Sequence, residues 1–166
     1  MRKLLLCVLL SANFALADDM DDALQAYADQ NYTKAFALMQ KTCAGGDMLG
    51  CYSLGVMYDE GQGTKQDQAK ANTLYRQACD GGEMYGCYNL AVSYANGTGT
   101  KQDHVKAKAL YEQACDGNDA YACHNLGIAY RDGNGTKKDL AAAEVFFKKS
   151  CSLGNEVSCV ESEAAP

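Results

Sequence analysis

Cysteines are the residues in this 166-residue chain whose type and spacing point most directly to chemistry. Eight of the nine fall into four C-x7-C pairs, and successive pairs begin 36 residues apart. They are Cys43, Cys51, Cys79, Cys87, Cys115, Cys123, Cys151 and Cys159. Such thiols can bind zinc, attack a substrate or oxidise to disulfides, and their spacing bears on which of these they do.

Disulfide formation is the chemistry that accounts for all eight cysteines. Pairing within each C-x7-C motif uses every one. Pairing between successive motifs, as in Cys51 with Cys79, leaves Cys43 and Cys159 without a partner. A structural zinc site needs four ligands at once, and the chain has only two histidines to complete such sites. The sequence therefore predicts four local disulfides, with no metal and no cofactor.

The first residues predict export to a compartment in which disulfides persist. A basic start at Arg2 and Lys3 precedes an apolar run through Leu10, and Ala-Leu-Ala ends at Ala17 before a block of acids. This is the pattern of a cleaved secretory signal, too short and wrongly flanked to span a membrane. We therefore predict a signal peptide over residues 1–17 and a secreted or periplasmic mature chain.

The charge of the mature chain argues against anionic partners. Without the two basic residues of the leader, 13 basic side chains stand against 21 acidic ones. Such a surface is repelled by phosphate backbones and anionic lipids, so we expect no nucleic-acid partner. No later stretch is apolar for long enough to cross a bilayer, so we expect no membrane span.

A repeated sequence fills the interval between the cysteine pairs. The stretch "CDGGEMYGCYNLAVSYANGTGTKQD" begins at Cys79, and close copies begin at Cys43 and Cys115. A fixed period of this size indicates stacked supersecondary units. The apolar positions that return in register are predicted to pack in the core. They are Leu54, Leu90 and Leu126, and Tyr58, Tyr94 and Tyr130.

Each copy contains the signals for two helices. In the first copy, residues 47–60 place cysteine, leucine and tyrosine at three- and four-residue steps, which predicts one helix. Asp67 and its equivalents stand where an N-cap belongs, which predicts a second helix over 67–79. The following Gly81-Gly82 suits a left-handed C-cap. Each repeat is therefore expected to be an antiparallel helix pair.

The repeats divide the chain into a leader, an N-terminal cap, three full units and a C-terminal cap. The segment before Cys43 has the pattern of a degenerate helix pair without the glycine loop, and the last copy is one short helix with a tail. The predicted divisions are 1–17, 18–42, 43–78, 79–114, 115–150 and 151–166.

The stretch "LGVMYDEGQGTKQDQAKANTLYRQAC" resembles the Sel1-like repeat, a relative of the tetratricopeptide repeat. With a C-x7-C pair in every repeat and an export signal, the chain is similar to the Helicobacter cysteine-rich protein family. The resemblance implies an all-α fold, a right-handed α/α solenoid of Sel1-like helix pairs with one disulfide per repeat. It also implies scaffold or binding roles and, from the descriptions of family members, penicillin binding or weak β-lactamase activity.

The residues do not supply a recognised β-lactamase site. A serine enzyme of this class needs a serine with lysine three residues later, and none of Ser53, Ser93, Ser150, Ser152 and Ser158 has one. A zinc enzyme needs several clustered histidines and acids, and the chain has two histidines. The enzyme hypothesis therefore depends on the resemblance alone, and the catalytic residues are unassigned.

The relation to tetratricopeptide repeats implies that the first helix of each pair lines a concave face. Variable polar residues on these helices are the candidate ligand contacts, because amides bond a peptide backbone and tyrosines add amphipathic area. They are Tyr52, Ser53, Glu60, Tyr88, Asn89, Asn96, His124, Asn125, Arg131 and Asp132. The asparagines could equally be solvated or capping groups, and His124 an ordinary surface residue.

The variable residues of the second helices are expected on the convex outside. They are Asn72, Lys108 and Glu144 with Arg76, Glu112 and Lys148.

Three functions are compatible with this sequence. The leading hypothesis is a secreted or periplasmic scaffold that binds a peptide, a protein or a cell-wall fragment, peptidoglycan-like or β-lactam, on its concave face. The second is a weak β-lactamase or penicillin-binding protein, as the resemblance implies. The third is a secreted effector that a host recognises, for which stability outside the cell is the chief requirement.

Overall fold

The computed structural model describes residues 19–163, so the predicted signal peptide lies outside the described residues. Every regular element in this range is helical. Helix α1 covers residues 19–28, and the others are α2 Tyr32–Ala44, α3 Met48–Glu60, α4 Gln68–Asp80, α5 Met84–Asn96, α6 His104–Asp116, α7 Ala120–Asp132, α8 Leu140–Ser152 and α9 Glu156–Glu163. Within the described part of the chain, no helix is long and apolar enough to cross a membrane.

The helices belong to two compact units that meet in the chain between Gln77 and Ala78. Unit 1 contains α1 to α3 and most of α4, and in it α2 packs against α3. Unit 2 contains the end of α4 and α5 to α9, and from α5 onward each helix packs against the next. We call α1, α3, α5 and α7 the first helices, and α2, α4, α6 and α8 the second helices.

Acidic side chains cap the helices at the predicted positions. Asp67, Asp103 and Asp139 each accept a hydrogen bond, at 3.0–3.1 Å, from the backbone N–H three residues later, at the start of a second helix. Such a carboxylate satisfies an amide that has no partner within the helix and interacts favourably with the helix dipole. Asp47 and Asp119 cap α3 and α7 in the same way, and Glu83 caps α5 by accepting from the backbone N–H of Tyr85, two residues later.

The core forms where small residues of the first helices face aromatic rings of the second. Leu54, Leu90 and Leu126 are buried, as predicted. A Cβ atom built on Gly127 would lie 2.7 Å from the ring of Phe147, so this glycine lets α7 and α8 approach closely. Gly55 stands in the same relation to Tyr75 in unit 1.

The recurring tyrosines all pack against neighbouring side chains, but only Tyr94 is buried as predicted, whereas Tyr58 and Tyr130 are half-buried. The ring of Tyr58 meets Phe36 edge-on at a centroid distance of 5.2 Å, and that of Tyr130 stacks on Phe146 at 5.5 Å. The Lys106 ammonium lies 5.3 Å from the ring centroid of the buried Tyr94. Their regular recurrence therefore reflects packing between helices.

The four predicted disulfides are all present. Each joins the last turn of a second helix to the first turn of the next helix, with Cα atoms 4.4–4.8 Å apart. The bonds are Cys43–Cys51, Cys79–Cys87, Cys115–Cys123 and Cys151–Cys159. The first three pairs are buried and the last is half-buried. Each bond therefore locks the corner between consecutive helix pairs.

Candidate functional site

Each unit has a crevice to which two first helices and the second helix between them contribute side chains. The unit 1 crevice has a volume of about 150 Å³ and is lined by Leu24, Tyr27, Met39, Tyr52, Ser53, Val56 and Met57. The unit 2 crevice has a volume of about 190 Å³ and is lined by Ala95, Asn96, His104, Ala107, Lys108, Tyr111, Asn125, Ile128, Ala129 and Asn134.

The two crevices occupy equivalent positions of the repeat. Two periods of the sequence, 72 residues, relate one lining to the other. The equivalent pairs are Leu24 and Asn96, Met39 and Tyr111, Ser53 and Asn125, Val56 and Ile128, and Met57 and Ala129. The repeat therefore builds the same recess in each unit, and the local side chains decide its chemistry.

The unit 1 crevice is mainly apolar. Met39 and Met57 are almost fully buried in its wall, and Tyr27 and Tyr52 bring aromatic rings. Burial raises the pKa of Tyr27, and the Glu60 carboxylate raises it further, so its hydroxyl stays protonated at neutral pH. This lining suits an apolar group with few polar contacts.

The unit 2 crevice is polar by comparison. Burial raises the pKa of Tyr88 and raises that of Tyr111 to about 12, and the side-chain amide of Asn125 partly opposes both shifts. Asn96 and Asn134 add exposed amides. This set of donors and acceptors suits the backbone or a polar side chain of a polypeptide.

Lys108 is placed differently from the sequence prediction. Its ammonium lies 2.6 Å from Glu112 Oε1 and 5.2 Å from the ring centroid of Tyr130 on α7. The hydrogen bond that Lys108 donates to Glu112 raises the pKa of Lys108. The expected convex position is therefore wrong for Lys108, which lines the unit 2 crevice. The residue at this position differs between copies of the repeat, which marks it as a candidate ligand contact, but the sequence pattern does not show that this side of α6 faces the crevice.

The structure gathers four of the ten predicted contact residues into the crevices. Tyr52 and Ser53 line the first, and Asn96 and Asn125 line the second, and the amide of Asn125 lowers the pKa of the half-buried Tyr88 against the larger effect of burial. Two others lie elsewhere on the first helices, the half-buried Asn89 and the exposed Glu60. As ligand contacts, all ten stay predictions. The sequence reasoning missed several lining residues, namely Leu24, Tyr27, Met39, His104, Lys108 and Asn134.

His124 and Arg131 are engaged by α9. His124 Nδ1 lies 2.7 Å from Ser158 Oγ, and its ring packs against Phe147. The Arg131 guanidinium donates to Glu161 at 3.1 Å and to Asp132 at 2.9 Å. These contacts hold the short last helix in place beside the disulfide.

The hydrogen-bond chain at His124 determines where its protons lie. Ser150 Oγ donates to the carbonyl of Ala120, which can only accept, so Ser150 can only accept from Ser158. The single proton of Ser158 is thereby used, and Ser158 must accept from Nδ1–H of His124. His124 therefore cannot act as a base toward this serine, whose side chain is fully buried.

We expect the stability of unit 2 to fall as the pH drops below about 6.5, the ordinary pKa of histidine. Burial, the largest effect, and the Arg131 charge lower the pKa of His124, although Glu161 opposes them. The unfolded chain therefore takes up the proton at a higher pH than the folded chain, and folding loses stability across that interval. Denaturant unfolding at about pH 7.5 and about pH 5 measures this loss.

His124→Asn should make that loss smaller, because the amide can still donate to Ser158 but does not titrate. An equal loss in His124→Asn and in the original chain would contradict the assignment to His124.

Comparison with known proteins identifies the family. The Sel1 repeat model matches residues 11–47, 49–83, 85–119 and 120–155. Helicobacter pylori cysteine-rich protein B is 32% identical, with a TM-score of 0.59, over 84% of this chain and 94% of that one. A Sel1 repeat protein of Oxalobacter formigenes has a TM-score of 0.83 over 86% of this chain and 59% of that one. At 24% identity, the second likeness shows the fold alone.

A further relative is HcpE of Helicobacter pylori, which is named as a proposed β-lactamase. It is 44% identical over 45 residues, which span 27% of this chain but only 13% of HcpE. The likenesses confirm the predicted fold class, an all-α solenoid of Sel1-like helix pairs with a disulfide in each repeat. The chain therefore belongs to the Sel1 repeat family and is similar to the Helicobacter cysteine-rich proteins.

Proposed function

We propose that this disulfide-rich Sel1 scaffold binds a peptide, or an extended segment of a protein, in the crevices between its first helices. The observation that carries the proposal is the equivalence of the two crevices, 72 residues apart in the chain. A repeated recess lined by different side chains suits a polymeric ligand whose successive groups differ. Repeat proteins present extended binding surfaces of this kind.

The size of the crevices favours a polypeptide over a compact small molecule. Sites that enclose a small-molecule ligand have volumes of roughly 300–1,000 Å³. The crevices have about 150 and 190 Å³, enough for one side chain each. We therefore do not propose a cell-wall fragment or a β-lactam as the ligand.

The disulfides support a location outside the cytoplasm. Four bonds of this kind form and persist in oxidising compartments, such as the periplasm or the extracellular space. A secretory signal over residues 1–17 agrees with this location and is part of the proposal.

The β-lactamase hypothesis has less support from the described side chains. Ser158, the serine that is hydrogen-bonded to His124, donates its proton to Ser150, and its side chain is fully buried. A nucleophilic serine needs a base that takes its proton, which this arrangement does not provide.

Selection of a random linear peptide library on the oxidised chain tests the binding proposal. We expect enriched peptides to bind the chain and to lose roughly tenfold or more in affinity to Ser53→Trp/Asn125→Trp, which fills both crevices. Fluorescence anisotropy measures the affinity, and circular dichroism shows whether the variant folds. Gln113→Trp, at an exposed position on α6 outside the crevice, should bind normally. The proposal fails if no peptide binds, or if the filled variant binds as well as the original.

A further inference from the structure

The unit 1 crevice combines a buried apolar wall with an exposed apolar edge. Met39 and Met57 are each 1% exposed, whereas Leu24 at the edge is 47% exposed. At the positions of Leu24 and Met57, the unit 2 crevice has asparagine and alanine. An apolar side chain that entered the unit 1 crevice would thus contact methionine and leucine and would cover apolar surface that now faces water.

Asp59 and Glu60 lie at the end of α3, three and four residues after Val56 of the crevice lining, and this spacing puts them on the same side of the helix as Val56. Glu60 raises the pKa of Tyr27, which lines the crevice. Asp59 and Glu60 both raise the pKa of Tyr75, after the larger effect of burial, and the ring centroid of Tyr75 is 6.1 Å from that of Tyr52 in the lining. The negative charge therefore acts on Tyr27 in the lining and on Tyr75, which packs beside Tyr52 of the lining.

These carboxylates are not neutralised by the described side chains, since none of the ion pairs there includes Asp59 or Glu60. At the equivalent positions of unit 2, Arg131 pairs with Asp132 at 2.9 Å. The two carboxylates, Asp59 and Glu60, form a negative rim that is a property of the unit 1 crevice and not of the repeat in general.

We infer that the unit 1 crevice recognises a polypeptide segment in which basic residues adjoin a large apolar side chain. The apolar side chain fills the recess beside Met39 and Met57, and the basic residues face Asp59 and Glu60. This inference rests on the proposed function and specifies the ligand for one of its two crevices. Charge complementarity identifies the occupant, because an acidic partner, including a second copy of this acidic chain, would meet repulsion at the rim.

Three labelled synthetic peptides of equal length test the inference, with Leu-Lys-Lys, Ala-Lys-Lys or Leu-Glu-Glu at the centre and glycine and serine elsewhere. We expect the Leu-Lys-Lys peptide to bind the oxidised chain roughly tenfold more tightly than the Ala-Lys-Lys peptide, since a leucine side chain is buried. The Leu-Glu-Glu peptide should bind more weakly still. Raising the salt concentration should reduce the preference for lysine over glutamate.

Two matched double variants distinguish the effect of Asp59 and Glu60 from the effect of the net charge of the chain. Asp59→Asn/Glu60→Gln should weaken binding of the Leu-Lys-Lys peptide about threefold to tenfold, as expected for two exposed charge pairs. Asp80→Asn/Glu156→Gln removes the same charge from exposed positions of unit 2 and should change binding far less. Ser53→Trp should abolish binding by filling the recess.

The outcomes distinguish this inference from the wider proposal. Equal binding of the Leu-Lys-Lys and Leu-Glu-Glu peptides, or no effect of the rim variant, overturns the inference. If library-selected peptides bind and Asn125→Trp blocks them, while the three synthetic peptides do not bind, the proposed function stands and the inference fails. If no peptide of either kind binds, both fail. If Ser53→Trp changes the sedimentation of the chain alone, a second copy occupies the crevice, which also overturns the inference.

Discussion

Replacing Cys115 and Cys123 together by alanine is expected to lower the free energy of unfolding by about 2.5 kcal/mol, by the chain-entropy relation for so short a loop. The bond joins residues eight apart in the sequence, at the corner between α6 and α7. Both cysteines are 0% exposed, so water does not fill the space that the two sulfur atoms leave. Denaturant unfolding of the variant beside the original chain measures the loss.

Reducing all four bonds should have a much larger effect. Four bonds of equal span would contribute on the order of 10 kcal/mol, which is comparable to the whole stability of a small domain. We therefore expect the reduced chain to lose most of its cooperative unfolding transition, which circular dichroism in dithiothreitol would show. An unchanged denaturation midpoint after full reduction would mean that helix packing alone stabilises each unit.

The last disulfide provides a contrast to the buried ones. Cys151 and Cys159 are half-buried and attach only α9 to α8. Removing this pair should loosen α9 with a smaller effect on the main unfolding transition. Hydrogen exchange of the α9 amides would detect the local opening.

Gly135→Ala is expected to destabilise unit 2 by about 2–5 kcal/mol, the combined cost of left-handed backbone and overpacking. The glycine has φ of 73°, in a region that residues with a Cβ atom rarely adopt. A Cβ atom here would lie 2.2 Å from the carbonyl oxygen of His104 and 2.9 Å from the amide nitrogen of Val105. These are backbone atoms, so no side-chain rotation can relieve the contact, and the loop must separate from the start of α6.

Gly133→Ala is the matched control for this prediction. Gly133 has φ of 80°, but its nearest neighbour would be 3.5 Å from the new Cβ atom, an ordinary contact. Only the backbone cost of about 1–2 kcal/mol should then apply. The difference in stability between the two variants, from thermal or denaturant unfolding, measures the effect of the close approach between Gly135 and the start of α6. Equal losses of stability would show that this approach contributes nothing.

The sequence allowed the fold to be predicted in some detail because the signals are local and repeated. A carboxylate such as Asp103 caps the helix that begins at the next residue, so the chain itself brings the two groups together. The same applies to Cys115 and Cys123, which one short turn places side by side. Each such signal occurs once in every copy, and the period of 36 residues confirms that its recurrence is not accidental.

The candidate site was predictable only in part. Ser53 and Asn125 were identified because they vary at one position of the repeat, and both line a crevice. Lys108 was assigned to the wrong face, because its contact with Tyr130 joins two helices of different repeats. His124 stays a predicted ligand contact, and the structure adds a hydrogen-bond partner that the repeat pattern does not indicate, Ser158 on the last helix, 34 residues away.

The sequence by itself determined the helix pairs, their caps and the cysteine pairing, because each depends on groups that are neighbours along the chain. Only the tertiary structure decided which side chains share a crevice, that one crevice is mainly apolar, and that α9 supplies the hydrogen-bond partner of His124. Those properties arise where separate helices meet. Repeat-equivalent residues have the same backbone geometry but different neighbours, and the neighbours set their burial, their pKa values and the ligand that they can bind.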